Sequence, residues 1–370
     1  MLAIMRIARI HPHLALLAPR ARILTAGRAR PLVFIVAILA GACAANHAAA
    51  QDVPLISGGV GFFSKTNGGS TSYEPQIQPL IAAPIGQKLL FESRAVIVEA
   101  FSPNGGGQPG YAHSHFVDLV YMQGDYTASR HLTVVGGSFL LPFNTYNERL
   151  SPIWIGNLQD GPLIAGLGNF SSGAGLGGMV SGSVFSSNRA SVAYNAWFSA
   201  RSGNFYFNAP RSSGGRVSVY LPESRLEIGA SLDRLLQNKH ENFFGAHVWW
   251  EPPDTGLRIR SEYARGQHAQ GYWIEADDRL KAFRGYDSWV GRFEPVFRMQ
   301  QTFRIDNLAS DGVPSVNTQR ADFGLDYNLP HEVRILTSYS RQFSAPKDVN
   351  IWETGIVYRF LFPTWKGKAD

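Results

Sequence analysis

The chain has 370 residues, of which 45% are hydrophobic and 17% charged, and carries a formal charge of +6. Six arginines in the first fifty residues (Arg6, Arg9, Arg20, Arg22, Arg28 and Arg30) account for that whole surplus. The remainder is formally neutral, so the overall basicity gives no sign of a nucleic-acid partner. The only cysteine, Cys43, falls in the same segment, which excludes disulfides and thiol chemistry from the rest of the chain.

Residues 1–50 read as a secretory signal. A basic stretch without lysine or acid precedes the apolar run Pro31–Ala45, and small residues lead to Ala48-Ala49-Ala50 before Gln51. The run is shorter than the roughly 20 apolar residues of a spanning helix. Ala40-Gly41-Ala42-Cys43 is a weaker match to a lipoprotein cleavage site, and the long stretch ahead of the apolar run allows a true start downstream of Met1.

After Gln51 no run of 18 apolar residues occurs. Segments of about ten residues recur instead, alternating apolar with polar positions between Gly, Pro, Asn, Asp and Ser, as expected of membrane barrel strands. About sixteen can be counted, an even number that suits a single-chain bacterial barrel. They begin near Leu55, Ser72, Lys88, His115, Leu132, Gly173, Ala190, Arg216, Arg225, Glu241, Leu257, Gly271, Val290, Thr318, Glu332 and Asn350. The early ones alternate less cleanly, so fourteen or eighteen also fit. Leu226–Asp233, Leu257–Ala264, Phe293–Gln300 and Arg320–Tyr327 alternate best. The expected fold is all-β: a closed antiparallel transmembrane β-barrel over 51–360, followed by a short tail, 361–370. Closure follows because every backbone N–H and C=O must be paired in hydrocarbon.

Between Leu141 and Gly173 lies the longest stretch without alternation. Ile153, Trp154, Ile155, Leu163 and Ile164 are too apolar for a solvated segment, so the 142–172 loop is expected to fold inward against the barrel wall and narrow the lumen. An extracellular loop or plug packed on its neighbours is the alternative. Its only charges are Glu148, Arg149 and Asp160, the candidate constriction charges.

In the final strand, Asn350–Phe360, Trp352, Thr354, Ile356, Tyr358 and Phe360 share one face. The ending resembles the assembly signal of outer-membrane proteins, with Tyr358 two residues before Phe360. That resemblance implies the barrel assembly machinery and outer-membrane lipid as partners. Gly137-Ser138-Phe139-Leu140-Leu141-Pro142-Phe143 resembles the strand-to-loop passage of the phosphate-selective porin O/P family. Gly271–Ala276 and Phe293–Arg298 are similar to paired strands of its C-terminal half. The resemblance implies sixteen strands, an inward loop and a homotrimer. It does not carry phosphate selectivity here, because the loop has a net charge of −1 and no lysine.

The alternation places Arg258, Arg260, Glu262, Glu275, Asp277, Arg279, Glu294, Arg298, Arg320, Asp322, Asp326, Arg334, Glu353 and Arg359 toward the lumen as candidate pore-lining groups. After residue 50, arginine outnumbers lysine 21 to 7. Arg forms fork-like pairs with carboxylates, so these charges either line a weakly selective pore or brace the wall. Gly173-x-Gly175-x-x-Gly178 lacks the βαβ context of a dinucleotide site, His113-Ser114-His115 lacks a third metal ligand, Asn169-Phe170-Ser171 is an incidental acceptor motif, and no nucleophile elbow occurs. No cofactor, metal or catalytic residue is expected. The expected role is a porin of the cell outer membrane passing small hydrophilic solutes or ions. The alternative is a non-conducting adhesin or scaffold. A barrel enzyme would need a nucleophile, a base and an orienting group together, and none can be assembled.

Overall fold

The computed structural model describes residues 54–105, 108–165, 173–203, 208–237, 240–285, 288–306, 312–344 and 347–363. The expected signal (1–50), the motif at Asn169 and most of the tail lie outside the described residues.

Among the described residues eighteen strands form in chain order: β1 (Leu55–Asn67), β2 (Ser70–Ile85), β3 (Leu89–Pro103), β4 (Tyr111–Ser129), β5 (Leu132–Leu140), β6 (Ala174–Ser186), β7 (Ser191–Ala200), β8 (Ser202–Gly203), β9 (Asn208–Ala209), β10 (Ser212–Leu221), β11 (Leu226–Leu235), β12 (Asn242–Trp250), β13 (Leu257–Arg265), β14 (Ala269–Asp278), β15 (Phe293–Arg304), β16 (Thr318–Asn328), β17 (Val333–Ser344) and β18 (Val349–Pro363). The two-residue strands β8 and β9 pair only with each other. The other sixteen form one closed barrel, antiparallel throughout, sealed where β1 pairs with β18 from Leu55↔Pro363 to Asn67↔Ile351. Each begins within four residues of its sequence-expected start. The last strand continues past Phe360 to Pro363, so 361–363 belong to the barrel rather than to a tail.

A period of two decides which way each side chain faces. On β16, Phe323 is 55% exposed and its neighbour Asp322 is 0% exposed; on β18, Trp352 is 56% exposed and Glu353 2%. The outer face is thus apolar and the inner face polar, the inverse of a water-soluble core. Phe360 shares the outward parity of Trp352, Ile356 and Tyr358 but is covered. It lies over Gly58, whose added Cβ would stand 2.8 Å from the Phe360 ring, and it stacks on Phe362 at 5.4 Å.

The long loop between β5 and β6 enters the barrel from the end opposite Leu55 and Pro363. Asn144 turns the chain inward with φ 56°, a left-handed conformation that Asn tolerates better than most residues. One turn of helix, α1 (Tyr146–Arg149), follows. The loop makes hydrogen bonds to side chains of β1, β2, β3, β10, β11, β13, β14, β15, β16 and β17. A single segment can reach strands all round a closed wall only from inside it. The described portion, up to Ala165, is therefore folded inward.

Candidate functional site

The loop packs closely because the wall makes room for it. A Cβ on Gly245 would stand 2.3 Å from Asn144 Oδ1, one on Gly271 2.3 Å from Ile164 Cγ2, and one on Gly324 2.8 Å from Leu158. Leu141, Phe143, Leu150 and Ile164 join Phe139, Phe243 and Trp273 in one buried apolar cluster. Ile153 and Trp154 pack on Phe63, Leu336 and Val357. Ile155, expected to pack with them, is 40% exposed. It sits in a turn closed by the Ile155 N–H donating to the Pro152 carbonyl.

All three loop charges are tied to the wall. Arg216 donates to Glu148 at 2.6 Å. Arg149 grips Glu227 with two parallel bonds of 2.9 and 3.0 Å. Asp160 accepts from Lys65 at 2.5 Å and from Arg320 at 2.7 Å. Burial alone would raise the Asp160 carboxyl, but Arg320 and Lys65 hold it well below the usual carboxylate range. Burial pushes the Tyr146 hydroxyl up to about 12.

Arg258, Arg260, Glu262, Glu275, Glu294 and Arg298 face inward, and each is less than a tenth exposed. Glu262 Oε1 accepts from Thr145 N at 2.7 Å, Thr145 Oγ1 at 2.8 Å and Tyr146 N at 2.7 Å, so it caps the loop's entry. Arg258 bridges Asp277 and Glu294, Arg260 bridges Glu275 and Asp277, and Arg298 bonds Glu275 and the Asp160 carbonyl. Arg334 reaches Asp326 at 3.0 Å and the Gly156 carbonyl. Arg279 lies just past β14, 3.9 Å from Glu294, and Arg359 is exposed near the terminal end of β18. The loop therefore covers much of this ladder.

On the other side the burial pattern changes. Along β2 and β3 most residues of both faces are half-buried, and along β4 most are exposed. Inward Glu92, Gln123 and Asp125, with Ser181 and Asn195 beyond them, face space that the loop leaves. Glu92, Asp118 and Asp125 have no ion-pair partner among the described residues. Arg94 is the neighbouring cation, bonded to Ser151 Oγ at 3.0 Å and held over the Tyr121 ring.

Lys65, Gln78, Arg94, Arg216, Glu227 and Gln300 were absent from the sequence-derived set, and all six hold the loop or its charges. Gly173–Gly178 leads into and runs along β6 rather than a phosphate loop, with Gly175 beside Phe139 and Leu141. His113 and His115 lie on β4, clasping Glu99 on their two sides. Among the described residues no group has metal-binding geometry.

At the loop-entry end His268 ties three connections together. Its Nδ1 meets Asp306 at 2.5 Å and its Nε2 meets Glu241 at 3.1 Å. The Asp306 hydrogen bond, opposed by partial burial and helped by Glu241, raises the His268 pKa. The charged imidazolium therefore supports the latch, fully below the ordinary histidine value, and the support is lost as pH rises through the raised one. The expected NMR titration of the His268 ring has a midpoint above that of an exposed histidine, and Asp306→Asn brings it down. An unshifted midpoint in the unaltered chain would show the latch to be uncharged.

No family model matches the chain. No curated relative matches it either. Solved structures do. OmpF of Salmonella typhi in complex with daunomycin is similar over 84% of this chain and 97% of that chain, at TM-score 0.56 and 11% identity. A loop-L8 deletion mutant of OmpT, an outer membrane protein of Vibrio cholerae, is similar over 84% and 100%, at 0.54 and 8%. The anion-selective porin from Comamonas acidovorans is similar over 83% and 98%, at 0.52 and 11%. At these identities the chain shares with them its fold: a sixteen-stranded closed barrel.

Proposed function

We propose that the chain is a porin of the outer membrane, exported by its first fifty residues and giving passive passage to small hydrophilic solutes or ions. One observation supports this reading: inward Glu92, Gln123, Asp125, Ser181 and Asn195 are polar and only half-buried, although a folded loop packs against much of the wall. No catalytic role is proposed. Tyr358, exposed on the outer face, and Phe360, covered on the same side of the last strand, fit the role of an assembly signal, and association into a homotrimer follows from the porin reading.

The same reading makes selectivity weak and slightly cation-preferring. Most cations inside the barrel are neutralised by carboxylates, and paired charges contribute little to a net field. Beside the open space, Glu92, Asp118 and Asp125 outweigh Arg94. The resemblance to the phosphate-selective family accordingly does not extend to phosphate. In planar bilayers under a salt gradient the reversal potential should lie modestly on the cation side, and Glu92→Gln with Asp125→Asn should move it toward zero. A strong anion preference would overturn this assignment of the conducting face.

A second reading is favoured by the loop's contacts round most of the wall: a plugged barrel acting as an adhesin or scaffold. Stepwise single-channel openings of the purified protein exclude it; their absence at every voltage would sink the porin reading.

A further inference from the structure

Between the loop and the wall of β1, β2, β17 and β18 remains a cavity of about 120 Å³. That is far below the roughly 300–1,000 Å³ of sites for drug-sized ligands, so any occupant is small. Its two sides differ in chemistry. Phe63, Leu158 and Leu336 present an apolar side; Lys65, Gln159 and Glu353 are among the polar groups facing it.

Two of these polar groups are incompletely bonded. Glu353 is 2% exposed. Its Oε2 accepts from Ser338 Oγ at 3.2 Å, while its Oε1 is buried without a hydrogen bond. Lys65 Nζ ion-pairs with Oε1 at 3.3 Å without a hydrogen bond to it, while donating to both oxygens of Asp160 at 2.5 Å. Gln159 Nε2 is likewise buried without a partner in the protein. It lies 3.0 Å from the position of a Cβ on Gly355, two residues along the same face from Glu353. A buried unpaired donor or acceptor is destabilising, so each favours a partner that satisfies it. Here one acceptor and one donor sit close together beside an apolar surface.

We propose that this cavity binds a small zwitterionic amino acid with an apolar side chain. The ligand's ammonium donates to Glu353 Oε1, its carboxylate accepts from Gln159 Nε2, and its side chain lies against Phe63 and Leu336. An amine without a carboxylate leaves Gln159 unpaired. A carboxylate without an amine meets Glu353 and Asp160 with like charge. The site stands apart from the transport reading, since binding and conductance are measured separately.

The test is equilibrium dialysis of the full detergent-solubilised barrel with radiolabelled L-valine, isobutylamine or isobutyrate. Valine should bind saturably, isobutylamine more weakly and isobutyrate not at all. Glu353→Gln should weaken valine at least about tenfold, the ordinary loss for one hydrogen bond to a charged group. Gln159→Leu should weaken valine while sparing isobutylamine. Each variant is first shown to be folded by its heat-dependent gel mobility. No saturable valine binding to the folded barrel would mean that the cavity holds water alone. Equal binding of valine and isobutylamine, or undiminished binding to folded Glu353→Gln, would also overturn the assignment.

Discussion

Replacing residues 141–173 by Asn-Gly is expected to raise single-channel conductance several-fold while the barrel still closes. Leu140 and Ala174 are direct antiparallel partners at the ends of β5 and β6. A two-residue Asn-Gly turn, the favoured hairpin connection, therefore joins them without moving either strand. Excision removes the apolar and polar groups that occupy the lumen, and conductance follows the open cross-section. Selectivity should change much less. Arg258, Arg260, Arg298, Arg320 and Arg334 keep the wall carboxylates Asp277, Glu294, Glu275, Asp322 and Asp326. The excised segment takes with it a single net negative charge, so the reversal potential drifts slightly toward anions. Heat resistance should fall, because Phe139, Phe243 and Trp273 lose their partners in the buried cluster. Unchanged conductance through a folded barrel would place the conducting route where the loop does not reach. A silent parent chain that conducts only after excision would mark the loop as a plug.

The barrel was legible in the sequence because its two solvents sort residues at a period of two. Phe323 against Asp322 and Trp352 against Glu353 are readable from sequence, and so is the loop, by its missing alternation. Register was harder at β2 to β4, where neither face is fully covered and the polar and apolar positions are mixed. What could not be read is where the loop's charges go. Thr145 and Glu262 are 117 positions apart, and Asp160 and Arg320 are 160 apart; no local spacing encodes such pairings. Lys65 and Arg216 therefore carry no signal in the sequence, and Glu262 reads there as a lumen charge rather than a cap. One signal was available: Gly245, Gly271 and Gly324 occupy inward positions where a side chain would be expected, and each faces an incoming loop residue. Small residues on the inner face of a barrel mark where something else is packed.

Glu262 separates a pore charge from a structural cap most sharply. Were it a lumen charge, Glu262→Ala would shift the reversal potential and leave conductance steady. Its geometry predicts the reverse. Oε1 accepts three hydrogen bonds from Thr145 and Tyr146, and Oε2 lies 3.3 Å from the Trp273 indole N–H. Truncation leaves three buried donors of the loop unsatisfied, at about 1–3 kcal/mol apiece. Arg149, Arg298 and Asp160 still hold the rest of the loop, so the entry frays rather than the whole segment detaching. The expected record is a noisier channel, with excursions toward the conductance of the loop-excised barrel and little change in selectivity. Glu262→Gln should be intermediate: an amide oxygen can still accept from Thr145 and Tyr146, but the amide nitrogen then confronts the Trp273 N–H, donor against donor. A quiet Glu262→Ala channel with a displaced reversal potential would show that the loop entry is held by its apolar packing alone, and that the carboxylate belongs to the conducting path.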